Sequence, residues 1–130
     1  MRTLEETREF FSNDRFATDN GMVIESVGEK SAVCSLTVAP GHMNAVGNVM
    51  GGVYYTLADF TFAVATNHEE MGTVSLSSSI EYLAPARGKK IICTAECLKD
   101  GKTTCNYEMR LEDEAGKLLA IVHTTGFTRR

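Results

Sequence analysis

The stretch that decides the fold reads HMNAVGNVMGGVYYTLADFTFAVATN and covers residues 42–67. Its second part has apolar side chains at the spacing of one helical face, at Val53, Leu57, Phe60 and Val64. The neighbouring positions are mostly apolar or small. A helix over residues 51–67 would be about 25 Å long and would need cover on most of its sides. A single charged side chain, Asp59, interrupts the run and needs an explanation.

The cover is predicted to come from β-strands. Strand-like segments fall at residues 22–27, 31–39, 73–83, 89–98, 103–112 and 117–127. Asp100-Gly101 and the DEAG segment are typical of hairpin turns, which predicts an antiparallel meander that wraps the helix. With a short N-terminal helix at about residues 3–12, the pattern predicts an α+β fold in which residues 1–130 form one domain. One sheet around one helix leaves a strand edge uncovered, and dimerisation would cover it.

Composition argues against several classes of protein. The 130 residues carry a net charge of −4, which argues against a nucleic-acid partner because such a protein needs a basic face. The charged N-terminal segment lacks the apolar run of a signal peptide, and residues 42–67 are a poor membrane span, so we predict a cytoplasmic protein without a membrane partner. No C-x2-C pair occurs, so no metal site is predicted. The cysteines are expected to be reduced: Cys34, Cys93, Cys97 and Cys105.

Asp59 lies beside the apolar stripe and has two interpretations. It is either a solvated aspartate on the one exposed strip of the helix or a functional carboxylate. No Lys or Arg lies within one helical turn, and its neighbours favour a raised pKa and hence a better base. Gly51 and Gly52, where the chain enters the helix, would let a ligand approach N–H groups that can bind an oxyanion. Alternatively, the two glycines only relieve crowding at a tight turn.

Asn44, Gly51, Gly52 and the Leu57-Ala58-Asp59 triplet together follow the pattern of a known family. The chain resembles the hotdog-fold acyl-CoA thioesterases of the phenylacetate-degradation (PaaI) type, and the matching order of elements extends the resemblance over nearly the whole chain. The resemblance implies a curled antiparallel sheet around one central helix. It also implies a homodimer, paired into a homotetramer, with the active site at the dimer interface. The implied reaction is hydrolysis of a small or aromatic acyl-CoA, with no cofactor apart from the coenzyme A of the substrate.

The family's functional residues map onto this sequence. The resemblance makes Asp59 the general base or nucleophile, and it makes the Gly51 N–H the group that polarises the thioester carbonyl. Asn44 would help to place the water or the carboxylate. A serine or threonine on the strand after the helix contacts the aspartate, and Ser77 is the closest match. Two further serines share its predicted strand face: Ser75 and Ser79.

Further side chains are expected to contact the substrate. The acyl group is expected to lie against Met50, Gly52, Tyr55 and Phe62. The phosphates of coenzyme A are expected to meet positive charge from Arg87, Lys89, Lys90 and Lys102. Each of these cations is equally compatible with an ordinary solvated loop residue.

Met50 departs from the family, which has a histidine before the two glycines. Methionine cannot donate a hydrogen bond, which keeps open a non-catalytic acyl-CoA-binding or sensing module. A hotdog hydratase or dehydratase is a further alternative, but such enzymes typically carry a catalytic histidine on or near the helix. The histidines of this chain lie outside the helix: His42, His68 and His123. Hydrolysis remains the prediction because the exchange leaves Asp59 and the backbone donors in place.

Overall fold

The computed structural model describes residues 2–129. Two short helices, α1 (Leu4–Phe11) and α2 (Arg15–Asp19), precede a hairpin of β1 (Met22–Gly28) and β2 (Ser31–Thr37). A 3-10 turn (Pro40–His42) then leads to the long helix α3 (Gly51–Asn67). Four strands complete the fold: β3 (Thr73–Tyr82), β4 (Lys90–Asp100), β5 (Thr104–Asp113) and β6 (Leu118–Thr128).

The strands form one antiparallel sheet in the order β1-β2-β4-β5-β6-β3. The hairpins from β4 to β6 were predicted, but β3 lies beside β6 and not between β2 and β4, so the sheet is not a simple meander. The cause is α3, because the connection through the helix carries the chain from β2 to the far edge of the sheet. Within residues 2–129, β3 is therefore an edge strand that pairs on one side.

Helix α3 packs its apolar face against the sheet. Leu57, Ala58 and Val64 have no exposed surface, and this burial is the main favourable term in folding. Fully buried side chains face them from the strands: Leu36, Ile91, Met109 and Leu111. None of the helices within residues 2–129 has both the length and the apolar character that crossing a membrane requires.

The other side of α3, which we name the open face, consists of Gly52, Tyr55, Thr56, Asp59 and Ala63. These residues are half-buried or exposed; α2 approaches them along one side, and Ser75 of β3 contacts Asp59. The chain alone therefore covers less of the helix than the apolar sequence predicts. A helix that is apolar on most sides needs further cover, and a second copy of the chain can supply it.

Candidate active site

The first turn of α3 presents N–H groups without helical partners. Met50 occupies the N-cap position and makes no side-chain capping bond, while the Val53 N–H donates to the Met50 carbonyl oxygen (2.9 Å). The N–H groups of Gly51 and Gly52 have no carbonyl one turn earlier in the helix. Together with the helix dipole they make this end of α3 a candidate oxyanion-binding position.

Tyr82, near the end of β3, fixes this first turn. Its hydroxyl donates to the Gly51 carbonyl oxygen (3.0 Å), and its ring lies edge-on to Tyr54 with the centroids 5.9 Å apart. A β-carbon at Gly51 would stand 3.0 Å from the Tyr82 hydroxyl oxygen, so a larger residue there needs a small shift of the exposed Tyr82 ring. Tyr82 was missed at the sequence level because no local pattern connects residues 31 positions apart.

Asn44 lies in the loop that leads into α3 and organises that loop. Its Oδ1 accepts the N–H groups of Val46 (3.1 Å) and Asn48 (3.0 Å), in the manner of an Asx turn. Asn48 Oδ1 in turn accepts from Arg87 Nη1 (3.2 Å). Asn44 and Arg87 thus both contact the loop that ends at Gly51. The Asn44 side-chain oxygen is occupied by backbone N–H groups of that loop.

Asp59 lies on the open face, two turns after Gly51. The residue is accessible from one side, but burial of its carboxylate on the other side raises the pKa, and a hydrogen bond from Ser75 opposes that rise. Ser75 Oγ donates to Asp59 Oδ1 over 3.3 Å. No ion pair of Asp59 is found within residues 2–129, so a carboxylate of raised basicity remains available for chemistry.

The serine beside Asp59 is Ser75, whereas the sequence favoured Ser77. A bulge in β3 is the reason: Ser75 pairs with Gly126 and Ser77 already pairs with Thr125, so Leu76 is an extra residue. The bulge reverses the alternation of side chains, and Ser77 lies on the sheet face opposite to that of Ser75. Ser75 and Ser77 therefore do not share a strand face as predicted.

Two grooves adjoin on the open face. The apolar groove, of about 440 Å³, is lined by Met50, Gly52 and Tyr55, with Phe16 of α2 on its opposite wall. The carboxylate groove, of about 300 Å³, shares Phe16 and contains Asp59. Phe16 is 75% exposed and Met50 is 51% exposed, so apolar surface is open to solvent beside the candidate base. Three of the four predicted acyl-contact residues thus lie together at the start of α3.

Phe62, the fourth predicted acyl-contact residue, belongs to the core. It is 2% exposed, and its ring meets the edge of Tyr107 with the centroids 5.4 Å apart. Its ring tip also lies 2.8 Å from the position that a β-carbon of Gly126 would take. The prediction is wrong for a physical reason: the curled sheet covers this flank of the helix, so Phe62 packs into the interior and not into a groove.

The four predicted phosphate-binding cations do not form one cluster on the chain. Arg87 and Lys89 are exposed near the loop before α3, and Lys90 Nζ is paired with Glu25 Oε2 (3.3 Å). Lys102 follows the other end of β4, a strand of about 33 Å when extended. Arg87 and Lys89 are therefore the candidates on the side where α3 begins.

The histidines serve structure or lie away from α3. His42 is buried, accepts the Ala39 N–H at Nδ1 (2.9 Å) and reaches the Asn20 carbonyl with Nε2 (2.7 Å). His68 caps the end of α3 and bonds the Gly28 carbonyl (2.8 Å), while His123 is exposed and pairs with Ser79 across strands. Within the described part of the chain, no three His, Cys, Asp or Glu side chains come together to hold a metal ion.

One curled antiparallel sheet around a central helix defines a hotdog fold, and its candidate site combines a helix N-terminus with a carboxylate that makes no ion pair within residues 2–129. A sequence profile of the thioesterase superfamily matches residues 46–120, which contain both Gly51 and Asp59. The chain belongs to the thioesterase superfamily, and the predicted family and fold are confirmed.

Named relatives and solved structures agree with this membership. Acyl-coenzyme A thioesterase PaaI of Escherichia coli is 30% identical over 112 residues, which cover 85% of this chain and 80% of the relative. Human acyl-coenzyme A thioesterase 13 is 35% identical over 103 residues, 76% of this chain and 74% of the relative. The structure of E. coli PaaI superposes with a TM-score of 0.88 at 25% identity and covers 98% of this chain and 97% of that one.

Proposed function

We propose that this chain is an acyl-CoA thioesterase that hydrolyses the thioester bond of a small or aromatic acyl-CoA to the free acid and coenzyme A. The observation that carries the proposal is Asp59, a carboxylate with a raised pKa and no cation partner within residues 2–129, beside an open apolar groove. Membership of the thioesterase superfamily and similarity to relatives named acyl-CoA thioesterases support the same reaction.

The proposed site requires two copies of the chain. Gly51 and Asp59 are eight residues apart on one helix, which separates them by about 12 Å along the axis. A carbonyl held at the Gly51 N–H is thus out of reach of the Asp59 of the same chain, but a second copy with its open face turned towards the first can bring its own Asp59 close. The edge strand β3, with exposed Val74 and Leu76, supports a symmetric homodimer through this side, and two dimers would form the proposed homotetramer.

In the proposed mechanism, Asp59 takes a proton from a water molecule as the water oxygen adds to the thioester carbon. The charge that develops on the carbonyl oxygen is stabilised by the Gly51 N–H at the positive end of α3. The C–S bond then breaks and coenzyme A leaves as a thiolate. The proton held by Asp59 passes to that thiolate or to solvent. Ser75 holds the carboxylate in orientation through its hydrogen bond. Direct attack by Asp59 to form an anhydride, later hydrolysed by water, is the covalent variant of this route.

The substrate would lie across the loop before α3 and the apolar groove. The acyl group would occupy the apolar groove, beside Met50 and Tyr55, and Phe16 would form its outer wall. Arg87 and Lys89 would meet the phosphates of coenzyme A on the exposed side. The reaction needs no cofactor beyond the coenzyme A of the substrate, and the acidic net charge of −4 gives no support for a nucleic-acid partner. The thiols of Cys34, Cys93 and Cys97 are free, which supports a reducing, cytoplasmic location.

A non-catalytic acyl-CoA-binding module is the second candidate, and Met50 is the observation that favours it. The methionine side chain folds over Gly52, where its terminal methyl lies 2.9 Å from the position of a β-carbon, and it donates no hydrogen bond. If this exchange weakens oxyanion stabilisation, Met50→His raises turnover in the same assay.

The deciding experiment measures thiol release from short, long and aromatic acyl-CoAs, with wild type beside Asp59→Asn. A thioesterase loses roughly 10²- to 10⁴-fold in turnover with the asparagine and still binds the acyl-CoA in calorimetry. Binding by wild type without turnover on any acyl-CoA would refute the hydrolase and favour the binding module.

A further inference from the structure

The first peptide group of α3, which joins Gly51 to Gly52, accepts a hydrogen bond from outside the helix. The Tyr82 hydroxyl of β3 donates to the Gly51 carbonyl oxygen over 3.0 Å. The other end of the same peptide group is the Gly52 N–H, which has no hydrogen-bond partner within residues 2–129. One peptide group thus combines an accepted bond on its oxygen with an unpaired N–H at the candidate oxyanion position.

The contact with Gly51 is held by the tertiary structure. Tyr82 pairs with Ala120 in the sheet, and the ring of Tyr82 lies edge-on to that of Tyr54. Tyr54 is 4% exposed, and its own hydroxyl accepts the Ala86 N–H over 2.9 Å. The position of the Tyr82 hydroxyl is therefore set by the strand and by a buried ring, independently of the helix that receives its hydrogen bond.

Folding alone does not demand this hydrogen bond. Inside a helix the Gly51 carbonyl oxygen already accepts from the N–H four residues later, and the bond from Tyr82 uses its second lone pair. The Tyr82 side chain is exposed, so water can satisfy its hydroxyl equally well. The bond is thus an addition to a complete helix, and its consequence lies in the peptide group that receives it.

A hydrogen bond to the carbonyl of a peptide group strengthens the N–H of that group as a donor, because hydrogen-bonded groups in a chain polarise one another. The Gly51 N–H has the same kind of support: the carbonyl of its peptide group, that of Met50, accepts from the Val53 N–H over 2.9 Å. Two consecutive N–H groups at the positive end of α3 are therefore polarised, and neither has a partner among the described residues. This arrangement suits an oxyanion.

Strand β3 contacts α3 at both groups of the proposed chemistry. Near its start, Ser75 Oγ donates to Asp59 Oδ1 over 3.3 Å, and at its end the Tyr82 hydroxyl donates to the Gly51 carbonyl oxygen. Tyr82 therefore stands to the oxyanion turn as Ser75 stands to the base.

We propose that the Gly52 N–H is a second donor to the oxyanion and that Tyr82 is the positioning residue that holds and polarises its peptide group. The inference rests on the proposed function, in which the thioester carbonyl oxygen lies at the Gly51 N–H. As the water oxygen adds to the thioester carbon, negative charge moves onto the carbonyl oxygen and both N–H dipoles stabilise it. Tyr82 acts through the peptide group and does not touch the substrate.

The experiment compares Tyr82→Phe and Tyr54→Phe with wild type. Tyr82→Phe keeps the ring and its contact with Tyr54 but removes the donor to Gly51. Tyr54→Phe is the matched control, because it removes the other hydroxyl of the same ring pair, which binds Ala86 and not α3. Three quantities are measured: kcat and KM for acyl-CoA hydrolysis, the melting temperature, and the NMR shifts of the Gly51 carbonyl carbon and the Gly52 amide nitrogen.

Tyr82→Phe is expected to lower kcat and to leave KM within about two-fold, because the oxyanion exists only in the transition state. One donor contributes roughly 10²- to 10³-fold, and polarisation supplies roughly 10–30% of that on a logarithmic scale, so kcat should fall roughly two- to eight-fold. Both NMR resonances should move upfield as the polarisation is lost. Tyr54→Phe should lower the melting temperature, since the Ala86 N–H loses its partner, and leave kcat and both resonances in place.

Several results would overturn the inference. A kcat of Tyr82→Phe equal to that of wild type, an equal loss in Tyr54→Phe, or a rise in KM at unchanged kcat would each remove Tyr82 as a positioning residue of this reaction. The role of Gly52 has its own test in Asp59→Asn saturated with acyl-CoA. Its amide proton should move downfield on binding together with that of Gly51, and a Gly52 proton that stays in place is not a donor to the carbonyl.

The NMR shifts keep this proposal separate from the thioesterase proposal. If wild type hydrolyses no acyl-CoA, the proposed function fails. An upfield shift of the Gly51 carbon and the Gly52 nitrogen in Tyr82→Phe alone would still support the polarised peptide group, and unchanged shifts would overturn it.

Discussion

The N–H of Gly51 can be removed without removing the helix that carries it. Gly51 is the first residue of α3, the position at which proline is best tolerated because its missing N–H has no helical partner there. Met50, the residue before it, has φ −64° and ψ 140°, which is the conformation that a following proline favours. Gly51→Pro therefore deletes the proposed oxyanion donor and leaves the rest of α3 intact.

Gly51→Ala is the matched control, because alanine and proline place the same β-carbon against Tyr82. That carbon would stand 3.0 Å from the Tyr82 hydroxyl oxygen, and the ring, which is 54% exposed, must shift equally for both. The ratio of the kcat values of the two variants then reports the contribution of the Gly51 N–H alone. Loss of one oxyanion donor costs about 3 kcal/mol of transition-state stabilisation, so kcat should be roughly 10²- to 10³-fold lower for proline than for alanine. Equal rates for the two variants, with equal melting temperatures, would show that the Gly51 N–H is not the donor.

Mixing two inactive variants tests the proposed sharing of the site between subunits. In a dimer of Asp59→Asn with Gly51→Pro, one site is intact, since it takes Gly51 from one chain and Asp59 from the other. Random exchange makes half of the dimers mixed, so about a quarter of the wild-type rate should return. Native mass spectrometry would verify the exchange. If the mixed dimers form and no activity returns, Gly51 of one chain and Asp59 of the other do not form a shared site.

Three further changes test other parts of the structure. Ser75→Ala should lower kcat/KM several-fold and move its acid limb to higher pH, because the lost hydrogen bond had lowered the pKa of Asp59, whereas Ser77→Ala should leave the pH profile unchanged. Asp59→Asn should melt at a higher temperature than wild type at pH 7. A carboxyl whose pKa is raised on folding favours the folded state below its unfolded pKa and loses that benefit as the pH rises. The difference in melting temperature should therefore vanish near pH 4. Phe62→Ala should lose about 3–5 kcal/mol of unfolding free energy in urea, because it leaves a cavity against Tyr107, and should keep its preference among acyl groups.

The fold could be predicted because its signals are local and repeated. A helical stripe from residue 51, alternating strands and the turn at Asp100-Gly101 each follow from neighbours in the sequence. The place of β3 at the sheet edge could not be predicted, since strand order depends on which distant strand offers a partner after the helix has crossed the sheet. The superfamily was readable from Gly51, Gly52 and Asp59 because they fall within one short segment.

The site predictions that the structure corrects depend on the geometry of single residues. Three consecutive serines at 77–79, with a fourth at 75, give no indication of a bulge, and one extra residue in β3 decides which hydroxyl faces Asp59. Phe62 lies on the same flank of the helical wheel as groove residues, but the curvature of the sheet covers it.

The charge of Asp59 itself separates an enzyme from a binding module. Coenzyme A is anionic, so a carboxylate beside its bound thioester opposes binding, and the raised pKa of Asp59 shows that the fold already disfavours its ionised form. A sensor would gain affinity and stability from asparagine at this position, because the amide keeps the hydrogen bond from Ser75 without the charge. A hydrolase needs the basicity that the same burial creates. A chain with aspartate at this position, without an ion pair to it within residues 2–129, has the electrostatics of a base and not those of a receptor for an anion.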